Sequence, residues 1–396
     1  MNPELNKDIL RLNSPGSVAY NDKIKRLIAA GKNIIQFQVG DPDFKTPYSI
    51  ISKANRFMLE GDTHYVNSIG TSELRNAVSE YLLKNIDVKY DPESEIQITT
   101  GAVHAYFAGL KAVIISGDEV LIPDPTWNTH KTMVEFLGGV PISVRSEIDN
   151  NYFPKISDLQ EKISSKTKAL VINSPGNPTG AVAKKSYVKA LVEFAAKNNL
   201  FIISDEVYHK LIYDDAEHYS PAQIPGGKER TILINSLSKT YAMTGWRIGY
   251  LTAPKEVISQ AQKASQFTIT CAPHFIQKTA AFALTDDEVQ KEANKMVEIY
   301  SKRSDFIIQK LRENNFEKIV GLPPKGAFYY FLDLNKLEID SETLADKILK
   351  EAGIALTPGT VFGEMGEGYL RLSYAASMED IKTGMDLFID WLKINY

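Results

Sequence analysis

The chain has 396 residues, 43% hydrophobic and 24% charged, with a net charge of −4. That is the balance of a soluble globular protein with too much chain for one ordinary core, so two domains are expected and nothing points to a nucleic-acid or membrane partner. A single cysteine, Cys271, excludes a disulfide framework within the chain and agrees with a reducing, cytoplasmic setting. The opening "MNPELNKDILRLN" is charged and lacks an apolar centre, so it is not read as a secretory signal. No apolar run approaches the ~18 residues of a membrane span. The histidines are scattered, with no HExxH pattern and no Cys/His cluster, so no metal site is expected.

In chain order, "GDPDFKTP" (residues 40–47) is rich in turn residues and reads as a crossing between domains. "ELRNAVSEYLLKN" (73–85) has helical spacing of its apolar residues. "EVLIPDP" (119–125), "KALVINSP" (168–175), "LFIISDE" (200–206) and "TILINSLS" (231–238) are short apolar runs ending in polar or turn residues. Buried parallel strands have this form, with chemistry after their carboxyl ends. "SYVKALVEFAAKNN" (186–199) is an amphipathic helix between two of them. The middle of the chain is therefore predicted to be an α/β domain with a mostly parallel sheet flanked by helices. After about residue 286 a long charged helix is followed by strand-like "GAFYYFLDL" and "YLRLSYA", which suggests a smaller α+β domain. The expected division is residues 46–285 for the large domain and 286–396 for the small one. Residues 1–45 should pack with the small domain.

Polar groups at the strand ends need explaining. "NSPGNPTG" (173–180) is either a plain tight loop or a stiff one that aims Asn177 at a ligand. Asp205 ends an apolar strand, where a carboxylate is costly to bury without a partner. It could be a helix cap, or it could face a positively charged ring nitrogen, with Tyr208 on the same side of the next turn. Lys239, alone, would usually be a solvated lysine. Here Ser236, Ser238 and Thr240 surround it and Arg247 follows in "GWRIGY". Hydroxyls, backbone amides and an arginine can hold a phosphate, and an amine beside a phosphate site can form an imine with an aldehyde. An aldehyde-bearing phosphate with an aromatic nitrogen is pyridoxal 5′-phosphate, whose marks are a Schiff-base lysine and an acidic partner for the ring nitrogen.

In order and separation, "NSPGNPTG", "SDEVY", "SLSKTYAMTGWRIGY" and "LRLSYA" resemble the motifs of the class I/II aminotransferases, fold type I pyridoxal-phosphate enzymes similar to aspartate aminotransferase. The resemblance runs from about Val39 to the C-terminus. It implies that Lys239 carries the cofactor and then shuttles the substrate proton, that Asp205 pairs with the ring nitrogen, and that Asn177 and Tyr208 bond the ring's 3′-oxygen. Ser236, Ser238 and Arg247 would hold the phosphate, with the backbone amides of Gly101, Ala102 and Val103 in "TTGAVHA". Trp127 would stack on the ring, and Tyr65 would reach the phosphate of a neighbouring subunit in a homodimer. Gly40 would lie near the substrate carboxylate, and Arg371 would grip that carboxylate with a bidentate fork.

The resemblance implies a ping-pong amino transfer from an L-amino acid to a 2-oxo acid. A lyase or cyclase acting at Cβ or Cγ would use the same site residues. A regulatory module that merely binds the cofactor would need a DNA-binding domain, and the segment before Gly40 is too short for one. In the phosphate cradle, Val103 stands where some dicarboxylate-using relatives have a lysine. Together with Trp127, Tyr65 and Phe328 as aromatic surface, this favours neutral, aromatic or otherwise non-acidic donors over aspartate. His104 could read a polar side chain, and the segment near Tyr20 could close over it.

Overall fold

The computed structural model describes residues 5–10, 12 and 16–396, so part of the opening segment read above as lacking a secretory core lies outside the described residues. The described strands are β1 (Ile35–Gln36), β2 (Ile96–Thr99), β3 (Glu119–Asp124), β4 (Val140–Arg145), β5 (Thr167–Asn173), β6 (Phe201–Asp205), β7 (Thr231–Ser236), β8 (Gly249–Thr252), β9 (Tyr329–Asp333), β10 (Ile354–Ala355), β11 (Thr357–Pro358) and β12 (Tyr369–Ser373). Seven of them form one sheet in the order β2-β8-β7-β6-β5-β3-β4. Strands β3 through β7 run parallel, and β8 is antiparallel to both β7 and β2.

Both faces of this sheet are covered, which is why its central strands read as continuous apolar runs. On β6, Ile202 packs into one cluster with Leu170 and Ile172, while Ile203 packs on the opposite side with Ile232 and Ile234. Helix Lys185–Lys197 buries Val188, Leu191, Val192 and Ala195, the stripe that helical periodicity demands. The expected mostly parallel α/β sheet is present. The β2, β4 and β8 strands were not legible beforehand. Edge strand β4 contains a proline and is largely solvent-facing, and β2 and β8 are only four residues each.

A second, three-stranded antiparallel sheet has the order β11-β12-β9. Helices Asp287–Glu313, Ser341–Ala352 and Met378–Asn395 pack with it. The same core takes in Tyr20, Ile24 and Phe37 from the N-terminal segment, and β1 pairs in parallel with β10. No helix among the described residues is long and apolar enough to cross a membrane.

Candidate active site

The carboxyl ends of β5, β6 and β7 open into a cleft of about 380 Å³ that the small sheet faces from the other side. Lys239 lies three residues beyond the end of β7. Its Nζ donates to the carbonyl of Gly40 at 2.7 Å and lies 5.8 Å from the centre of the Phe328 ring. Burial pushes this amine down from the ordinary 10.5 to about 8; the Asp41 carboxylate opposes that shift, and the Arg371 and Arg247 charges add to it. The downward shift raises the share of neutral, nucleophilic amine at mild pH.

Asp205 is almost fully buried at the end of β6. One carboxylate oxygen is 3.0 Å from His130 Nε2, and the other accepts the Val207 N–H at 3.2 Å. His130 Nδ1 lies 3.1 Å from the Thr126 hydroxyl. A single tautomer satisfies both contacts: Nε2–H donates to Asp205 and Nδ1 accepts from Thr126. The Trp127 ring packs edge-on to His130 at 5.4 Å. Asp205 is thus a local turn acceptor and, at the same time, one end of a buried relay that faces the cleft. Asn173 binds the two loops together, donating to the Asp205 carbonyl at 3.1 Å and accepting the Asn177 N–H at 2.9 Å.

An anion cradle lies beside Lys239. Gly101 precedes helix Ala102–Val113 with φ +85°, and a Cβ there would sit 2.6 Å from Arg247 Nη2. Only glycine takes this backbone shape without cost, and only glycine lets the guanidinium lie against the helix N-terminus. Arg247 Nη1 is held by the Thr244 carbonyl at 2.8 Å. Ser236 and Ser238 line the same side of the cleft, as do Ala102 and Val103.

Arg371 sits at mid-strand in β12, paired across to Phe331 on β9. It is buried, and its fork donates to Asn177 Oδ1 at 3.0 Å and to the Gln38 carbonyl at 2.7 Å. The Tyr329 and Phe362 rings lie 4.5 Å and 4.9 Å from its guanidinium carbon. Its Nε is buried without a partner. A guanidinium fork of this kind can pair with a planar anion. Tyr208 lies close by, its hydroxyl 2.8 Å from that of Tyr329, and burial raises its pKa well above the phenol range.

The model of the family described as aminotransferase class I and II matches residues 32–386. The chain belongs to that family. It is 41% identical to the aspartate aminotransferase of Pyrococcus abyssi over 91% of this chain and 92% of that one. It is 37% identical to aromatic-amino-acid aminotransferase 2 of Thermococcus litoralis, over 96% of each. The solved structure of aspartate aminotransferase from Thermus thermophilus with maleate matches with a TM-score of 0.91 at 34% identity, covering 98% of this chain and all of that one (100%). The chain is accordingly an aminotransferase, moving an amino group from an amino acid to a 2-oxo acid.

Of the residues singled out for this aminotransferase from sequence, Gly40, Ala102, Val103, Trp127, Asn177, Asp205 and Tyr208 line the one cleft. So do Ser236, Ser238, Lys239, Arg247 and Arg371, while Gly101 lies directly under Arg247. Tyr65 is not among them; it is 86% exposed and lines a separate shallow pocket with Cys271 and His274. Two side-chain expectations are corrected. His104 does not face a substrate: its ring nitrogens lie 3.3 Å from the Thr100 N–H and 3.3 Å from the Ser265 hydroxyl, and burial pushes it down to about 4. Phe328 is fully buried behind Lys239 rather than lining the cleft. The segment near Tyr20 does border the cleft: Tyr20 itself packs into the core, and its neighbour Asn21 lines the cleft. Sequence reasoning missed Asn21, Asp41, Tyr329, Phe362 and His130. Helical spacing in residues 16–29 could have put Asn21 on the face beside Tyr20. Nothing local marks His130, which meets Asp205 only through the sheet.

Proposed function

We propose that the cleft holds pyridoxal 5′-phosphate on Lys239 and serves a ping-pong transfer from a neutral, aromatic or otherwise non-acidic L-amino acid. The observation that carries this reading is one cleft with a low-pKa lysine between an anion cradle and an arginine whose Nε is unanswered. The residues present fit the cofactor. The Gly101–Arg247 cradle, with Ser236, Ser238 and the N–H groups of Ala102 and Val103, suits a phosphate. Asp205, backed by His130, suits a protonated ring nitrogen. Trp127 offers a ring face, and Asn177 and Tyr208 suit the 3′-oxygen. When bound, the cofactor supplies an electron sink for charge that develops at the substrate Cα. Lys239 Nζ, 2.7 Å from the Gly40 carbonyl, is the group that takes and returns the Cα proton. Arg371 pairs with the α-carboxylate and fixes the donor's orientation.

The donor preference rests on the charges of the cleft. Its lining cations are Lys239, Arg247 and Arg371, each engaged in this reading. Val103 is apolar, Asp41 is a further carboxylate, and Trp127, Tyr329 and Phe362 are aromatic. Among the described residues a distal carboxylate therefore finds no further cation there, which disfavours aspartate. The relatives named above are aminotransferases, which supports transfer over elimination or cyclisation.

The partner we infer is a second copy of the chain, with Tyr65 reaching the neighbouring phosphate site. Tyr48, Leu59, Tyr65 and Phe267 are all more than four-fifths exposed, at 81%, 82%, 86% and 93%. Apolar groups left bare to that degree mark an interface. The two sheets support the division into residues 46–285 and 286–396, and the β1–β10 pairing supports joining residues 1–45 to the smaller unit. A cytoplasmic setting completes the reading, with no role for nucleic acid or membrane. The test is a panel of amino donors against holoenzyme, with products identified. Amination of an added 2-oxo acid supports transfer. Ammonia release without it contradicts transfer, and aspartate outperforming every neutral, aromatic and basic donor contradicts the preference.

A further inference from the structure

Asp124 ends β3 and is nearly buried, yet it belongs to none of the groups above. Its carboxylate reaches from the large sheet to the segment that carries Phe362. Oδ2 accepts the Glu364 N–H at 3.2 Å and Oδ1 accepts the Met365 N–H at 3.1 Å. Gly363, with φ +135°, makes room for this, because a Cβ there would fall 2.0 Å from Asp124 Oδ1. Two residues along, the Thr126 N–H donates to the Phe362 carbonyl at 2.9 Å. The strand end that leads to Trp127 is thus tied at three points to the turn that leads from Phe362. Phe362 in turn is one of the two rings that sandwich the Arg371 guanidinium.

We propose that Asp124 is a positioning residue, a latch between the two sheets that holds Phe362 against Arg371 and so keeps the carboxylate fork formed before substrate arrives. The proposal rests on the reading of Arg371 as the α-carboxylate receptor. Stability alone is a poor reason for a carboxylate here. Burial pushes its pKa up, the Met365 and Glu364 N–H groups pull it back, the Glu364 charge adds to the rise and Lys131 opposes it. An apolar residue would avoid that desolvation. A charged acceptor facing two backbone N–H groups fixes a geometry that an apolar side chain cannot. Preformed geometry lowers the ordering cost of binding, so its loss appears in affinity before it appears in chemistry.

The test compares Asp124→Asn and Gly363→Ala in the holoenzyme, using the best donor from the panel and its 2-oxo acid. In Asp124→Asn an amide nitrogen faces one of the two N–H donors; in Gly363→Ala the new methyl displaces the carboxylate. Each should raise KM for both substrates about tenfold, the worth of one charge-assisted hydrogen bond. Turnover should stay within about threefold and the cofactor dissociation constant within about twofold. The double variant should be little worse than either single one, because both break one latch. An unchanged KM with a lowered melting temperature would overturn the proposal, and so would equal weakening of cofactor and substrate. Arg371→Leu separates the two levels. If it weakens substrate and Asp124→Asn does not, only the latch fails; if it changes nothing, the carboxylate reading and the latch fall together.

Discussion

The two ends of the cleft are assembled differently. At the lysine end, Asn177, Asp205, Ser236 and Lys239 all follow adjacent parallel strands of one sheet. The local bonds are already made there: His130 and the Val207 N–H bracket Asp205, and the Gly40 carbonyl holds Lys239. At the arginine end, Arg371 is held by Gln38 and Asn177, from two distant parts of the chain, and by Thr357 on the neighbouring strand, and its Nε is left over. The first end is a rigid template that short sequence motifs encode. The second is built by long-range packing and is left one bond short.

Breaking the lysine end should have the largest effect. Lys239→Ala should lower turnover by about a thousandfold or more, because among the described residues no other amine lines the cleft. The variant should still bind cofactor through the Gly101–Arg247 cradle, and single-turnover kinetics check both points. Breaking the arginine end, Arg371→Leu should cost about 2–5 kcal/mol in kcat/KM for every donor alike, since each carries an α-carboxylate. A loss confined to one donor class would blur the comparison. Asp205→Ala should cost about 3 kcal/mol of barrier, as expected for a preorganised electrostatic partner. A fall in turnover of less than about tenfold would reduce Asp205 to a turn acceptor. The smallest effect sharpens the contrast. The rate at which apoenzyme captures pyridoxal phosphate should rise with pH through about 8, as the Lys239 ammonium loses its proton. Asp41→Asn should move that midpoint lower still, because the Asp41 carboxylate favours the charged amine. A stopped-flow pH series measures both.

The same division governs how much could be read from sequence. The parallel strands were legible because burial on both faces writes continuous apolar runs, and the groups after them were legible because they sit within a few residues of those runs. Arg371 was found only by resemblance to "LRLSYA"; nothing in its own neighbourhood says that Phe362 and Tyr329 will enclose it. His130 and Asp124 were silent for the same reason, since their partners lie 75 and 240 or more residues away. The misreadings of His104 and Phe328 share a cause as well. A residue next to a site residue on a helix or strand points elsewhere, and only the fold says whether that is cleft or core.

The central claim is that Lys239 is the amine of this cleft. Borohydride reduction of the holoenzyme, followed by peptide mass mapping, tests it directly. The expected result is a phosphopyridoxyl group on Lys239 alone, lost in Lys239→Ala. Attachment to another lysine, or labelling that survives that substitution, would contradict the account.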